Sequence, residues 1–261
     1  MGVTRRRFVR DLGAISVGLP LSAGIFASIL EAGPPDDSAK SSVVIIRDSG
    51  VLRDGQPIAE RVAAMVCTGV TRFLREVGAS DLGGILGESR RIGVKVNCLG
   101  GRPLATDSAG VGYESSVREA GAVGSRFSRL LTEYCDSVIS IGVLKDHGIA
   151  GVSGCMKNFY GVIHNPNKYH PGGCDPYVAD LYQSPLVGGK HKLSILDGLV
   201  AVYSGGPGYK PKYRWEYKGL VIGVDAVAVD RVGLDLIERK RKKRGPGESD
   251  LAKIKAKEMA V

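Results

Sequence analysis

Several of the commonest enzyme signatures are missing from this 261-residue chain. It has no Gly-x-Ser-x-Gly, so a hydrolase triad built on a nucleophile elbow is disfavoured. No Walker phosphate loop and no complete Gly-x-Gly-x-x-Gly occur, which leaves nucleotide binding without its usual glycine cradle. Histidines number four, and the five cysteines, an odd count, give no fully paired disulfide set. Aromatic residues make up only 6%, although the 43% that is hydrophobic suffices for one sizeable core or two small ones.

Net charge is scarce in the middle of the chain. Of the overall +9, residues 1–32 hold +2 (four arginines against two acids) and residues 238–261 hold +5 (nine basic against four acidic), leaving +2 for the core. At the first end, Thr4-Arg5-Arg6-Arg7-Phe8-Val9-Arg10 has the pattern of a twin-arginine export signal, followed by a mildly apolar stretch from Leu12 to Leu30. That stretch has no polar face, which argues against an amphipathic first helix. Residues 1–32 are therefore set outside the fold as a signal, or as an anchor given their length. The expected location is exported, periplasmic or otherwise extracytoplasmic, with the twin-arginine export machinery as a partner. Membrane contact would run through an uncleaved signal or the basic tail. Residues 33–42 read as a polar linker, 43–238 as a single α/β domain, and 239–261 as a frayed basic tail. Export argues against nucleic acid as the partner of that tail, leaving anionic lipid or simple solvation.

Between the ends, strand and helix patterns alternate. Val43 to Ile46 reads as a first strand, and Ile58 to Val77 as a helix in which Val62, Met65, Val66, Gly69, Phe73 and Val77 recur at helical spacing. Arg91 to Asn97 has period two, which brings Lys95 and Asn97 to one strand face; Cys98 follows. Ser125 to Cys135 and Tyr177 to Tyr182 read as short helices, and Lys192 to Asp197 as a buried strand ending in a carboxylate. Ser204 to Lys212 is a Gly/Pro-rich loop fit for a lid, and Trp215 to Val224 is the last strand region. Asp225 is placed to cap the final helix. Asp230 falls inside that helix's apolar arc, where a carboxylate needs a partner or a shifted pKa. A hydrogen bond to a neighbouring turn would answer this as well as a ligand would. The alternation predicts a three-layer α/β fold, its sheet largely parallel with helices on both faces.

The densest chemistry lies from Asp136 to Asp175. Asp136 to Gly142 reads as a buried strand. Leu144-Lys145-Asp146-His147 then leads into Gly148, Gly151 and Gly154, at the carboxyl end where open α/β sheets build their sites. Glycines there would let backbone N–H groups approach an anion at a helix start. A helix over 155–164 would gather Val162, Cys155, Phe159, Ile163, Met156 and Tyr160 on one arc. His164, Lys157, Gly161 and Asn158 would share the other, with Gly161 leaving room for a ligand. An ordinary solvated helix face is the competing reading. Tyr169 to Pro176 is a loop, and His164, His170 and Cys174 are metal-type donors without any standard spacing.

The block from Leu144 to Gly161, then His164 to His170 and Cys174 to Leu181, resembles the domain-of-unknown-function 362 family. Its members carry a similar Leu-Lys-x-His…Gly-x-x-Gly…Met-Lys-Asn-x-x-Gly arrangement. Lys192 to Gly198, Gly205-Gly206-Pro207 and Gly223 to Asp230 fit as well, so the resemblance spans Val43 to Glu238. It implies an α/β fold, and some members carry iron–sulfur ferredoxin modules. After Thr106 relatives continue through a helix and a strand, whereas here Asp107 to Tyr113 follows at once, so a βα unit of roughly fifty residues is missing from the pattern. Twin-arginine substrates as a class cross folded, often with a cofactor inserted. The two resemblances together imply a transition metal or iron–sulfur cluster and a redox partner. The expected site has His147, His164 and Lys157 in catalysis, with Lys95, Asn97, Lys145, Asn158, Asp197 and Asp230 binding the ligand. His170 and Cys174 are the expected metal donors. A solute-binding or interaction module using the same cleft without chemistry is the alternative, as is an inactive shortened member.

Overall fold

A computed structural model of the chain describes residues 25–32, 41–97, 111–208 and 210–244. Arg5 and Arg6, linker residues 33–40, Cys98, the 98–110 stretch, and residues 245–261 lie outside the described residues. Among the described residues, no helix is long and apolar enough to cross a membrane.

The strands are β1 (Ile25–Ala32), β2 (Ser41–Asp48), the two-residue β3 (Leu52–Arg53) and β4 (Gln56–Pro57), β5 (Ile92–Val96), β6 (Arg118–Ala120) and β7 (Val123–Ser125). They continue as β8 (Ser137–His147), β9 (Gly151–Val152), β10 (His191–Val202), β11 (Arg214–Trp215) and β12 (Gly219–Gly223). The helices are α1 (Ala59–Glu76), α2 (Gly83–Leu86), α3 (Arg129–Glu133), α4 (Tyr177–Gln183) and α5 (Ala226–Arg244). The main sheet has the order β1-β2-β12-β10-β8-β5. β5, β8 and β10 pair in parallel; β12 is antiparallel to both β10 and β2, so β2 runs with the parallel set, and β1 is antiparallel to β2. Four of these six strands thus share one direction, in an α/β fold.

Period-two alternation puts helices on both faces. Along β2, Val44 and Ile46 join the cluster under α1 with Met65, Val66, Phe73, Ile195 and Ile222. Val43 and Ile45 join the opposite cluster under α5 with Leu196, Val221, Val229 and Ile237. Each such fully buried side chain contributes about 2 kcal/mol. α1 therefore rests on packing, because Ile58 at its N-cap makes no side-chain cap bond.

Several boundaries differ from the sequence reading, each for a tertiary reason. β8 does not stop at Gly142, because Leu144 is wholly buried under α5 and β9 folds back to pair with Asp146 and His147. β10 runs past Asp197 to Val202, with an irregularity in register between them. The helix expected from Ser125 shrinks to α3, since Ser125 closes the β6–β7 hairpin and buried Phe127 bridges to Ile163. α5 continues through Arg244, so the first part of the expected tail is helical. Ile25–Ala32, read as the end of the export stretch, forms strand β1 against β2.

Candidate functional site

The parallel strands end in a cationic cluster. Lys145 sits near the carboxyl end of β8 and is only 6% exposed. Its ammonium donates to Asn97 Oδ1 at 3.3 Å, and Asn97 itself follows β5 and is tied by its N–H to Ile141 O at 3.1 Å. Lys95 Nζ donates to Val96 O at 2.7 Å and to Asn158 Oδ1 at 3.2 Å. Asn158 is buried, and its amide donates to Lys95 O, Ser140 Oγ and Ile141 O at 2.9, 3.1 and 3.3 Å. That clamp joins β5 to β8 beneath the site.

Lys157, His170 and His147 complete the cluster. Lys157 Nζ lies 3.0 Å from His170 Nε2 and 3.9 Å from the centre of the Tyr160 ring. His170 Nδ1 faces Asn167 O at 3.3 Å, which fits a proton on Nδ1 and an Nε2 that accepts from Lys157. The His147 and His170 rings stack with centroids 5.5 Å apart and planes 22° from parallel. His147 Nδ1 accepts from the N–H groups of Ile149 and Ala150 at 3.3 and 3.2 Å, which places the ring proton on Nε2. The glycine-containing turn at 148–151 is thus a β-hairpin that fixes a histidine, and not the anion-cradling helix start expected from its glycines.

Burial first, and then the charge of Lys157, pull the pKa of Lys145 down. Burial also lowers that of Lys157, partly offset by contact with Cys174. Among the described residues, no carboxylate forms an ion pair with Lys145 or Lys157. Asp146, between Lys145 and His147 in sequence, turns to the other face. There it accepts from Arg241 of α5 and from Gly206 N at 2.9 Å, while Arg241 Nε donates to Tyr203 O at 2.8 Å. A Cβ on Gly206 would fall 1.8 Å from Asp146 O, so only glycine allows the 204–208 loop this approach.

Three expected site residues stand elsewhere. Lys157–Val162 is a 3-10 helix, and Ile163 is already extended, ahead of left-handed Asn165 and Pro166. The 155–164 wheel therefore fails beyond Val162, and His164 is exposed, its N–H bound to Arg126 O and its ring edge-on to Tyr113. Gly161 does make room, but for Lys95: a Cβ there would lie 2.8 Å from Lys95 Nζ. Asp197 accepts from Leu199 N at 2.9 Å on β10. Asp230 accepts from the N–H groups of Cys155 and Met156, and burial lifts its pKa to about 6. It docks α5 on the turn before the 3-10 helix.

The metal expectation meets an unsuitable donor set. His170 presents Nε2 to an ammonium group, and Cys174 is buried against Lys157 and Tyr160. Among the described residues, no three His, Cys, Asp or Glu side chains gather as a metal site. The residues present do not fit a metal at this position.

Tyr160 belongs to the site and Arg241 braces β8 from the opposite face, although the sequence reading put one on an apolar arc and the other in a tail. Tyr160 donates to Tyr169 O at 2.7 Å and supplies the ring under Lys157. For Arg241 a signal existed: the stripe Ala226, Val229, Asp230, Gly233, Ile237 continues to 241 at helical spacing.

Residues 110–235 match the family model described as Domain of unknown function (DUF362). That stretch belongs to DUF362. No curated protein and no solved structure matches the chain. The DUF362 stretch contains β8, the 3-10 segment, His170, β10 and the first half of α5, and thereby every cluster residue except Lys95 and Asn97. β1 to β5 lie outside it.

Proposed function

We propose that the cluster at the carboxyl ends of β5 and β8 binds a small anion bearing a carboxylate or phosphate. One observation carries this reading: buried Lys145 and half-buried Lys157 are cations that act on one another, without an acidic partner among the described residues. Taking a charge out of water is costly unless it is paired, and an anionic ligand supplies the pair. Stacked His147 and His170 wall the cleft.

The reading is tested by calorimetric titration of lactate and of inorganic phosphate into the protein. Lys157→Ala should weaken the better of the two about 10-fold or more, as expected for a lost charged hydrogen bond. His164→Ala, outside the cleft, should leave affinity unchanged. Binding should also fade on raising the pH sooner than for ordinary lysines, because both ammonium groups are easier to deprotonate. Failure of both anions to bind, or wild-type affinity in Lys157→Ala, removes the reading.

A second reading keeps the same cleft in a solute-binding module without chemistry. The proposed location is extracytoplasmic, supported by the Arg5-Arg6 pattern and the apolar stretch after it. The export machinery and, for redox chemistry, an electron-transfer protein are the partners it brings. Replacing both Arg5 and Arg6 by lysine should abolish export, read by fractionation of the native host; unchanged export sinks the localisation. Among the described residues, no three His, Cys, Asp or Glu side chains gather to hold a metal or iron–sulfur cluster in this cleft.

A further inference from the structure

We infer that Lys145 is an imine-forming amine and that the anion of the cleft is a small 2-oxo acid, an inference that rests on the anion-binding reading above. Several separate features converge on this amine. Lys145 is 6% exposed, and its side chain is aimed at the Asn97 amide oxygen, 3.3 Å away. Burial, and then the charge of Lys157 acting on it, make the uncharged amine easier to reach. The carboxylate that could hold Lys145 as an ammonium, Asp146, is turned to α5 and committed to Arg241 and Gly206 N. A lysine desolvated beside another cationic group is the arrangement that turns an amine into a nucleophile. Lys157 in turn has a hydrogen-bond acceptor, His170 Nε2, at 3.0 Å, so it can lend and regain a proton.

The step balances within the cleft. The lone pair of the neutral Lys145 amine attacks the carbonyl carbon, while the charge of Lys157 draws the adjacent carboxylate. The C–N bond forms as the C=O π pair moves to oxygen. That oxygen takes a proton from Lys157, which recovers one from the nitrogen. A second exchange of the same kind expels the hydroxyl as water while C=N forms. The sum is amine plus ketone giving imine plus water, with no oxidant or reductant.

The test incubates the full chain with pyruvate and cyanoborohydride, which reduces an imine to a stable secondary amine, and maps the adduct by peptide mass spectrometry. The expected result is one adduct per chain, on the peptide containing Lys145, suppressed by excess lactate and absent from Lys145→Arg. Mapping the unmodified sequence locates the reactive amine even if that variant folds poorly. Lactate binding without an adduct at Lys145, or labelling spread evenly over exposed lysines, overturns the inference and leaves the anion site standing. Absence of the adduct together with failure of both lactate and phosphate to bind overturns the two together.

Discussion

Replacing Arg241 with alanine should lower the melting temperature by roughly 6–12 °C, whereas alanine at its exposed neighbour Lys242 should do almost nothing. Arg241 pairs with Asp146, whose side chain is 1% exposed, and it also satisfies the carbonyl of Tyr203. Removing one member of a buried pair leaves an uncompensated charge, at a typical cost of about 3–5 kcal/mol. Arg241 is 20% exposed, so water reaches the gap and the lower figure applies. A loss of about 3 kcal/mol in a domain of this size corresponds to the stated shift. Exposed substitutions away from such partners stay within about 0.5 kcal/mol. The comparison needs two melting curves. Equal melting temperatures for the two variants would mean that the helix end is as loose as its charge suggests.

Substitution of Asp230 by asparagine should make the protein steeply acid-sensitive between pH 6.5 and 4, where the parent is nearly flat. Two buried groups titrate against each other in this window. His191 hydrogen-bonds Tyr182 Oη and Ser194 Oγ, and burial pushes its pKa from 6.5 down to about 4. Below pH 6.5 the unfolded chain therefore takes up a proton that the folded one refuses. Stability on this account falls with acid by about 3 kcal/mol, complete near pH 4. Asp230 has the opposite sign. Burial raises its pKa from 3.8 to about 6, so below pH 6 the folded state gains a proton that the unfolded state lacks. Stability on that account rises with acid by a similar amount, down to about pH 4. Asp48, held low by Arg61, loses its contribution only as the pH falls below its unfolded value of 3.8. Chemical denaturation at pH 4, 5, 6 and 7 reads the slopes directly. Asp230→Asn should expose the histidine slope, and His191→Gln should reverse it. A flat profile in both variants would refute the opposition.

The parts of the fold that were legible in the sequence follow strict periodicity. α1 was visible because Met65, Val66, Gly69 and Phe73 repeat at helical spacing, and the same residues are buried. β2 was visible as a run of four apolar residues, all of them buried in the sheet. Of the site, Lys95, Asn97, Lys145, His147, Lys157, Asn158, His170 and Cys174 do come together, because residues near the ends of adjacent parallel strands cannot avoid one another. His164, Asp197 and Asp230 were misassigned for different reasons. The α-helical wheel over 155–164 runs past the end of a 3-10 turn at Val162, and extended Ile163 carries His164 away to pair with Arg126. Asp197 looked like a strand terminus because Gly198 follows it, yet β10 runs on. Asp230 was read correctly as a buried acid in want of donors, and two backbone N–H groups answer that want without a ligand. The hairpin at β8–β9 was hidden because Gly148 and Gly151 serve a turn as readily as a phosphate loop.

Consecutive residues of β8 send opposite charges to opposite sides of the sheet, and this makes the strand's register self-checking. If the chain slipped by one residue, Asp146 would enter the cleft with the lysines, and Lys145 would be driven under α5 against Arg241. Leu144 would leave its place in the apolar cluster in the same movement. The slipped pairing would thus set two cations together in a buried place while emptying a hydrophobic one. A single-residue deletion within Val143–Asp146 is for this reason worse than deletion of a residue from an ordinary amphipathic strand, where only greasy and polar faces trade places. The alternation of charge along these few positions therefore guards the fold against its nearest misfolded neighbour.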